Sequence, residues 1–146
     1  MHHYTDCGLR NVYLKNGYQK IGTPYGKGVI IQDLDGLYRA IGLSLVSHKP
    51  RLSGSEVRYL RVGLNLSQLE LARILGVAET SVRGWENHRT KITKPAERLL
   101  RALYREHMAG DGTIREMVEV LNHLHQKAYG RKLELEATNA GWREVA

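Results

Sequence analysis

The chain has 146 residues, 42% of them hydrophobic, which suits one domain, or a small domain with an appendage, that buries a core. Its formal net charge is +7, and residues 51–110 carry most of the excess, with eleven Lys/Arg against six Asp/Glu. The single cysteine, Cys7, excludes an internal disulfide, and no apolar run reaches the roughly 20 residues of a membrane span. We therefore expect a soluble cytoplasmic protein with no membrane partner, whose basic segment suits a polyanion.

The first residues predict short strands followed by a helix. Runs rich in Val, Ile and Tyr lie at 11–14, 18–21 and 28–32. Asn16-Gly17 favours a two-residue hairpin turn between the first two runs. A helix is predicted over 34–47, and its apolar face consists of Leu34, Leu37, Tyr38, Ile41 and Leu45.

Five further helices are predicted from their start signals, which are Ser53, Ser67, Ala78, Pro95 and Thr113. Ser53 and Ser67 each precede a glutamate by three residues, which is the pattern of a capping box. Thr113 and Glu116 have the same spacing. Ala78 is a poor N-cap, although Glu79 offsets part of its cost through the helix dipole.

The last residues predict a helix and a hairpin. An apolar stripe over 114–124 is either a dimer interface or part of the core. Residues 133–145 predict two strands around Asn139-Ala140-Gly141. Residues 5–12 share Thr, Gly, Arg and Val with 138–145 at matching places. Two terminal hairpins could then pair in one sheet, within a subunit or between two; chance similarity is the alternative.

The segment QLELARILGVAETSVRGWEN, residues 68–87, predicts two helices that cross at a tight turn. Ala72 is small enough for close approach, and Gly76 suits a turn with positive φ. Val82 and Trp85 lie three residues apart and dock the second helix on the first. This pattern indicates a helix-turn-helix whose second helix enters a DNA major groove; an ordinary helical hairpin is the alternative.

Polar residues that the packing leaves outward are the candidate DNA contacts. Arg83 is the strongest candidate for a bidentate bond to guanine, and a phosphate contact is its alternative. Gln68 lies at a helix N-terminus that suits a phosphate. The full set is Gln68, Glu79, Thr80, Ser81, Arg83, Gly84, Asn87, Arg89, Lys91 and Lys94.

The run SQLELARILGVAETSVRGWEN resembles the lambdoid-repressor family, the XRE and Cro type. The resemblance implies a mainly α fold, a five-helix lambda-repressor-like domain with a small antiparallel β element from the terminal strands. It implies DNA contact at Gln68 and base reading around Thr80, Ser81 and Arg83. It also supports a structural ion pair between Arg61 and Glu86.

The longer run RLSGSEVRYLRVGLNLSQLELARILGV is similar to the C-terminal domain of MqsA-type antitoxins, which bind DNA as dimers and repress their own operons. Those proteins also carry a zinc-binding domain with paired CxxC motifs. This chain has no CxxC, so the resemblance implies regulation of transcription more strongly than toxin binding.

We expect neither an enzyme nor a metal or cofactor site. His2, His3 and Cys7 lack a fourth ligand and the usual spacing, and no phosphate loop or nucleophile elbow occurs. The predicted domains are 1–50, 51–109 and 110–146, with the outer two available for dimerisation or partner binding. The leading hypothesis is a homodimeric autorepressor that reads a palindromic operator through residues 79–87. The alternatives are an antitoxin that binds a protein toxin and an architectural DNA binder.

Overall fold

Six helices and six short strands make up the part of the chain that the computed structural model describes, residues 1–110, 112–122 and 133–145. The helices are α1 (Leu34–His48), α2 (Gly54–Gly63), α3 (Gln68–Leu75), α4 (Glu79–Glu86), α5 (Lys94–Ala109) and α6 (Thr113–Asn122). The strands are β1 (His2–His3), β2 (Tyr13–Leu14), β3 (Tyr18–Thr23), β4 (Gly26–Ile31), β5 (Leu135–Thr138) and β6 (Gly141–Glu144). This mainly helical architecture with small antiparallel strand pairs confirms the predicted fold class.

The described strands form three separate two-stranded antiparallel sheets, β1–β2, β3–β4 and β5–β6. The predicted hairpin at Asn16-Gly17 is wrong, because β2 pairs with β1 and the turn of the next hairpin lies at Pro24-Tyr25. Gly17 instead closes the base of that hairpin, where its carbonyl accepts from the Gln32 amide at 2.8 Å. The two terminal regions therefore do not share a sheet within the described chain.

Tyrosines attach the N-terminal segment to the helices. Tyr4 and Leu9 are both buried, and the Tyr4 hydroxyl lies 3.1 Å from the hydroxyl of Tyr38 on α1. Tyr59 on α2 donates its hydroxyl hydrogen to the Tyr38 carbonyl at 2.7 Å. Burial raises the pKa of both Tyr4 and Tyr59, so these hydroxyls stay protonated and available as donors.

The core lies between α1, α2, α3, α4 and α5. Its most deeply buried side chains are Val57, Leu60, Leu71, Val82, Leu100 and Tyr104. The predicted apolar face of α1 is half-buried at Leu37, Tyr38, Ile41 and Leu45, whereas its first residue, Leu34, is exposed. The fully buried positions of α1, Gly42 and Val46, were not predicted. Gly42 is buried because Tyr104 packs where its Cβ would lie.

Arg101 ties α1 to α5. Its guanidinium donates to the carbonyls of Leu45 and Val46 at 3.1 Å and of Lys49 at 2.6 Å, at the end of α1. The helix end leaves the Val46 carbonyl without an intrahelical partner, whereas the Leu45 carbonyl also accepts from the Lys49 amide at 3.2 Å. Glu97, buried at 5% exposure, pairs with Arg101 at 2.7 Å and so keeps the charge compensated.

The predicted helix starts are confirmed at both capping boxes. The Ser53 hydroxyl accepts from the Glu56 amide, and Ser67 does the same with Glu70. Thr113, the predicted N-cap of α6, is instead its first helical residue, so the helix begins one residue earlier than predicted. The Glu106 carboxylate accepts from the Ile114 amide at 2.6 Å and caps that helix from α5.

The structure describes the first part of the predicted 114–124 apolar stripe but not its last part. Ile114 and Val118 pack against the core, whereas Met117 is exposed. Leu124 and the side chain of Leu121 lie outside the described residues. The stripe therefore contributes to the intrachain core through Ile114 and Val118.

Candidate nucleic-acid interface

Helices α3 and α4 cross at Gly76. Gly76 has φ 71°, and the amide of Val77 donates to the Ala72 carbonyl at 3.0 Å. This left-handed termination satisfies the last carbonyls of α3 and redirects the chain within two residues. Ala78 then begins α4 with extended backbone and no side-chain cap.

Helix α4 has one buried and one open face. Val82 is fully buried and Trp85 is 4% exposed, so these residues hold the helix on the core. Thr80 and Arg83 are exposed and Ser81 is half-buried. The first turns of α4 therefore present hydroxyl and guanidinium groups on a surface that no described part of the chain covers.

Arg83 carries an ion pair that a base could replace. Its Nη2 lies 3.1 Å from Oε1 of Glu79, one turn earlier, and the two side chains are 53% and 38% exposed. An exposed pair at this spacing is worth about 0.3–0.5 kcal/mol. A bidentate bond to guanine contributes about 1–3 kcal/mol of discrimination between bases. The ion pair with Glu79 is weaker than this and would not prevent Arg83 from making such a bond.

A nearly buried network holds α2, α3 and α4 together. Arg61 donates through Nε and Nη2 to the Glu86 carboxylate at 2.7 and 2.9 Å, and through Nη1 to the Leu66 carbonyl at 2.9 Å. Gln68 donates from Nε2 to the same carboxylate at 3.3 Å. The second hydrogen on that amide remains for an outside acceptor such as a phosphate.

The residues after α4 form a basic loop. Asn87, Arg89, Lys91 and Lys94 are all exposed. Gly84 is half-buried, and its carbonyl accepts from the Arg89 amide at 2.9 Å. A Cβ on Gly84 would lie 3.2 Å from the Thr90 hydroxyl, so this glycine allows the loop to fold against the helix. The structure thus shows a packing reason for Gly84.

Two further cations lie beside this loop. Lys49 and Arg51 line a cleft of about 540 Å³ together with Arg89 and Lys91, at the start of α2. Both are partly compensated, Lys49 by Glu56 at 3.3 Å and Arg51 by Glu97 at 3.8 Å. Sequence reasoning missed them, although two cations flanking Pro50 just before a helix start were a usable signal.

The side chains that the sequence offered for a metal site, His2, His3 and Cys7, make other contacts in the structure. His2 packs against the ring of Tyr18, His3 stacks on Tyr13, and the Cys7 thiol faces the Tyr4 carbonyl. Among the described residues, no group of three or more His, Cys, Asp or Glu side chains is placed to hold a metal ion. No described helix combines the length and the apolar character that a membrane span needs.

A capped helix, a glycine turn and a second helix with a polar outer face next to a basic loop define a helix-turn-helix DNA-binding domain. Residues 57–103, about a third of the chain, match a family model described as Helix-turn-helix. The match confirms the predicted XRE-type helix-turn-helix in this segment and supports a DNA-binding regulator. No curated protein and no solved structure matches the chain.

Proposed function

We propose that the chain is a sequence-specific repressor that acts as a homodimer in the cytoplasm, binds an inverted-repeat operator and regulates its own gene. The outward face of α4 carries the proposal, because Thr80, Ser81 and Arg83 are the side chains that would enter a major groove. A single recognition helix reads few base pairs. Two of them, about 34 Å apart in a dimer, would enter successive major grooves.

Each group has a separate role in this proposal. Thr80, Ser81 and Arg83 read base edges, and Glu79 accepts from a cytosine amino group or holds Arg83. Gln68, Gly84, Asn87, Arg89, Lys91 and Lys94 approach the phosphates. Arg61 and Glu86 fix the angle between the helices without touching DNA. The excess of eleven Lys/Arg over six Asp/Glu in residues 51–110 supports the phosphate contacts. No catalytic step and no cofactor is part of this function.

The test is fluorescence anisotropy on DNA from upstream of the chain's own gene, against scrambled DNA, at two salt concentrations. We expect tight binding with a specificity ratio that survives the higher salt. Arg83→Ala should relax base preference at one position and cost about 1–3 kcal/mol there. Lys91→Ala should weaken binding to all sequences and flatten the salt slope by about one unit. Equal losses on both measures from both variants would contradict the assignment.

The resemblance to MqsA-type antitoxins favours a second candidate function, a toxin-binding protein that also represses its operon. The exposed apolar side chains of the β3–β4 hairpin, Tyr25, Val29 and Ile30, are a surface that a protein partner could cover. Co-expression with the product of a neighbouring gene, followed by gel filtration, separates the two functions. One shared peak supports the antitoxin, and two separate peaks support the repressor alone.

A further inference from the structure

The hairpins β3–β4 and β5–β6 are built on the same turn. Thr23 and Thr138 each donate a hydroxyl hydrogen to the carbonyl of the glycine three residues on, Gly26 or Gly141, at 2.6 Å in both hairpins. Each hydroxyl also accepts from the amide two residues on, at 3.3 and 3.2 Å. The turn of the C-terminal hairpin therefore has its structural counterpart in Thr23-Pro24-Tyr25-Gly26 and not in residues 5–12.

Neither hairpin is covered within the described chain. Trp142 is 76% exposed and Leu135 is 53% exposed in the β5–β6 hairpin. By strand register, Trp142 and Leu135 share one face, where Glu144 lies opposite Leu135. Isolated two-stranded hairpins are marginally stable in water, and exposed apolar faces of this kind mark interaction sites.

The charges on the two hairpins are opposite. Residues 18–31 contain Lys20 and Lys27 and no acidic residue, a charge of +2. Residues 133–145 contain three glutamates and Arg143, a net charge of −2. Arg143 pairs with Glu136, so Glu134 and Glu144 are the carboxylates without an ion-pair partner among the described residues. Glu144 lies on the Trp142 face, whereas Glu134 lies on the opposite face and adds to the net charge of the hairpin. Lys20 and Lys27 likewise have none there.

The apolar and charged groups of β3–β4 share one face as well. Lys20 lies opposite Val29 and Lys27 opposite Gly22, and the alternation of the strands puts both lysines on the side of Val29. A lysine stem covers apolar surface while its ammonium group stays in water or lies over an indole ring. This face therefore complements the Trp142 face, because Val29 and the lysine stems offer apolar surface to Trp142 and Leu135, and the ammonium groups offer opposite charge to Glu144.

We propose that the β5–β6 hairpin of one subunit packs its Trp142 face on the Lys20–Lys27 face of the β3–β4 hairpin in a second copy of the chain. The inference rests on the homodimer of the proposed function and specifies its interface. Two-fold symmetry forms the contact twice, because each subunit supplies one hairpin of each kind. Both halves of the contact are present in one chain, but Trp142 is 76% exposed there and so is not covered by the β3–β4 hairpin of its own chain; the occupant is the partner copy.

Charge reversal of one hairpin at a time tests this interface, with molar mass by light scattering as the readout. The monomer mass is 16.6 kDa, and the wild-type chain is expected at about twice that value. The first variant, Lys20→Glu with Lys27→Glu, makes both hairpins acidic. The second variant, Glu134→Lys with Glu144→Lys, makes both basic. Each alone should raise the dimer dissociation constant by about 100-fold or more, because two hairpins of like net charge then meet.

Mixing the two variants is the decisive step. In the mixed dimer an acidic hairpin meets a basic one at both contacts, so the equimolar mixture should regain the dimer mass. One chain that carries all four changes should also dimerise, since its two hairpins have exchanged charge. The matched control is Arg10→Glu with Arg98→Glu, which shifts the net charge equally at exposed positions and should leave the dimer intact.

Three outcomes would overturn the interface: a wild-type chain that stays monomeric, reversed variants that dimerise like wild type, or a mixture that remains monomeric. A shielded Trp142 in a monomer would mean that the hairpin docks within its own chain. Dimer formation only after co-expression with a neighbouring gene product would identify a different partner. Base preference on a single half-site is measured separately, and its absence would contradict the proposed DNA function whatever the mass shows.

Discussion

The segment α2–α5 and the two exposed hairpins differ in how their apolar residues are used. Leu60, Leu71 and Leu100 have no exposed surface, whereas Trp142 of β5–β6 is 76% exposed. The helices also satisfy their ends locally through capping boxes at Ser53 and Ser67. The core side chains of the helical segment therefore already pack on one another and on α1, whereas the hairpins have a regular backbone whose side chains still lack a surface to pack on.

The two tryptophans offer the sharpest test of this comparison. Trp85→Ala removes a side chain that is 4% exposed, and we expect a loss of about 3–5 kcal/mol in the free energy of unfolding. Trp142→Ala should change it by less than about 0.5 kcal/mol when the protein is dilute enough to be monomeric. Urea denaturation of both variants measures the two values. Similar losses would show that β5–β6 is part of the folded core.

Glu86 tests whether the network between α2, α3 and α4 is structural. Glu86→Ala leaves the Arg61 guanidinium, 13% exposed, without its carboxylate, and should cost about 3 kcal/mol in unfolding free energy. The double variant Arg61→Met with Glu86→Leu should recover most of that loss, since no unpaired charge remains.

The exposed pair Glu79–Arg83 is the control for this network. Glu79→Ala should lower the unfolding free energy by about 0.5 kcal/mol or less, because solvent screens both groups. If Glu86→Ala were as mild as Glu79→Ala, the Arg61–Glu86 pair would contribute little to the angle between the helices.

Effects of about 1 kcal/mol or less, in opposite directions, are expected at the two caps of the motif. Ser67→Ala removes the hydroxyl that accepts from the Glu70 amide, and should cost about 1 kcal/mol. Ala78→Ser places a hydroxyl at an N-cap that has extended backbone and no side-chain bond, and should stabilise by about 0.5–1 kcal/mol. Thermal melting of both variants should shift in opposite directions. A shift of the same sign would mean that one substitution acts through something other than capping.

Local sequence signals were sufficient to predict where the helices begin and end, but not every position that each helix buries. Ser53, Ser67 and Gly76 act on backbone groups within four residues, so their spacing alone predicted the helix bounds. The burial of Gly42 on α1 could not be predicted in this way, because it depends on Tyr104, sixty-two positions along the chain. Hydrophobic periodicity assigns no packing value to glycine, and it also included Leu34 in the apolar face, although Leu34 is exposed.

Pairing between strands failed for a related reason. Asn16-Gly17 is a good turn signal, but β2 pairs with β1, and the segment between them is anchored by the buried side chains of Tyr4 and Leu9. The candidate DNA contacts were available from the sequence because packing leaves them outward on a short helix. Lys49 and Arg51 were not, because the cleft that joins them to Arg89 forms only in the folded chain.

Arg101 decides where the DNA-binding part can be cut from the rest. A fragment that starts at residue 51 would strip its guanidinium of the carbonyls of Leu45, Val46 and Lys49 and would uncover the core beside Val46. A fragment that starts at Asp33, whose side chain accepts from the Gly36 amide, keeps all of them. The shortest self-supporting DNA-binding unit for transplantation into another protein therefore includes α1 and can omit the hairpin before it.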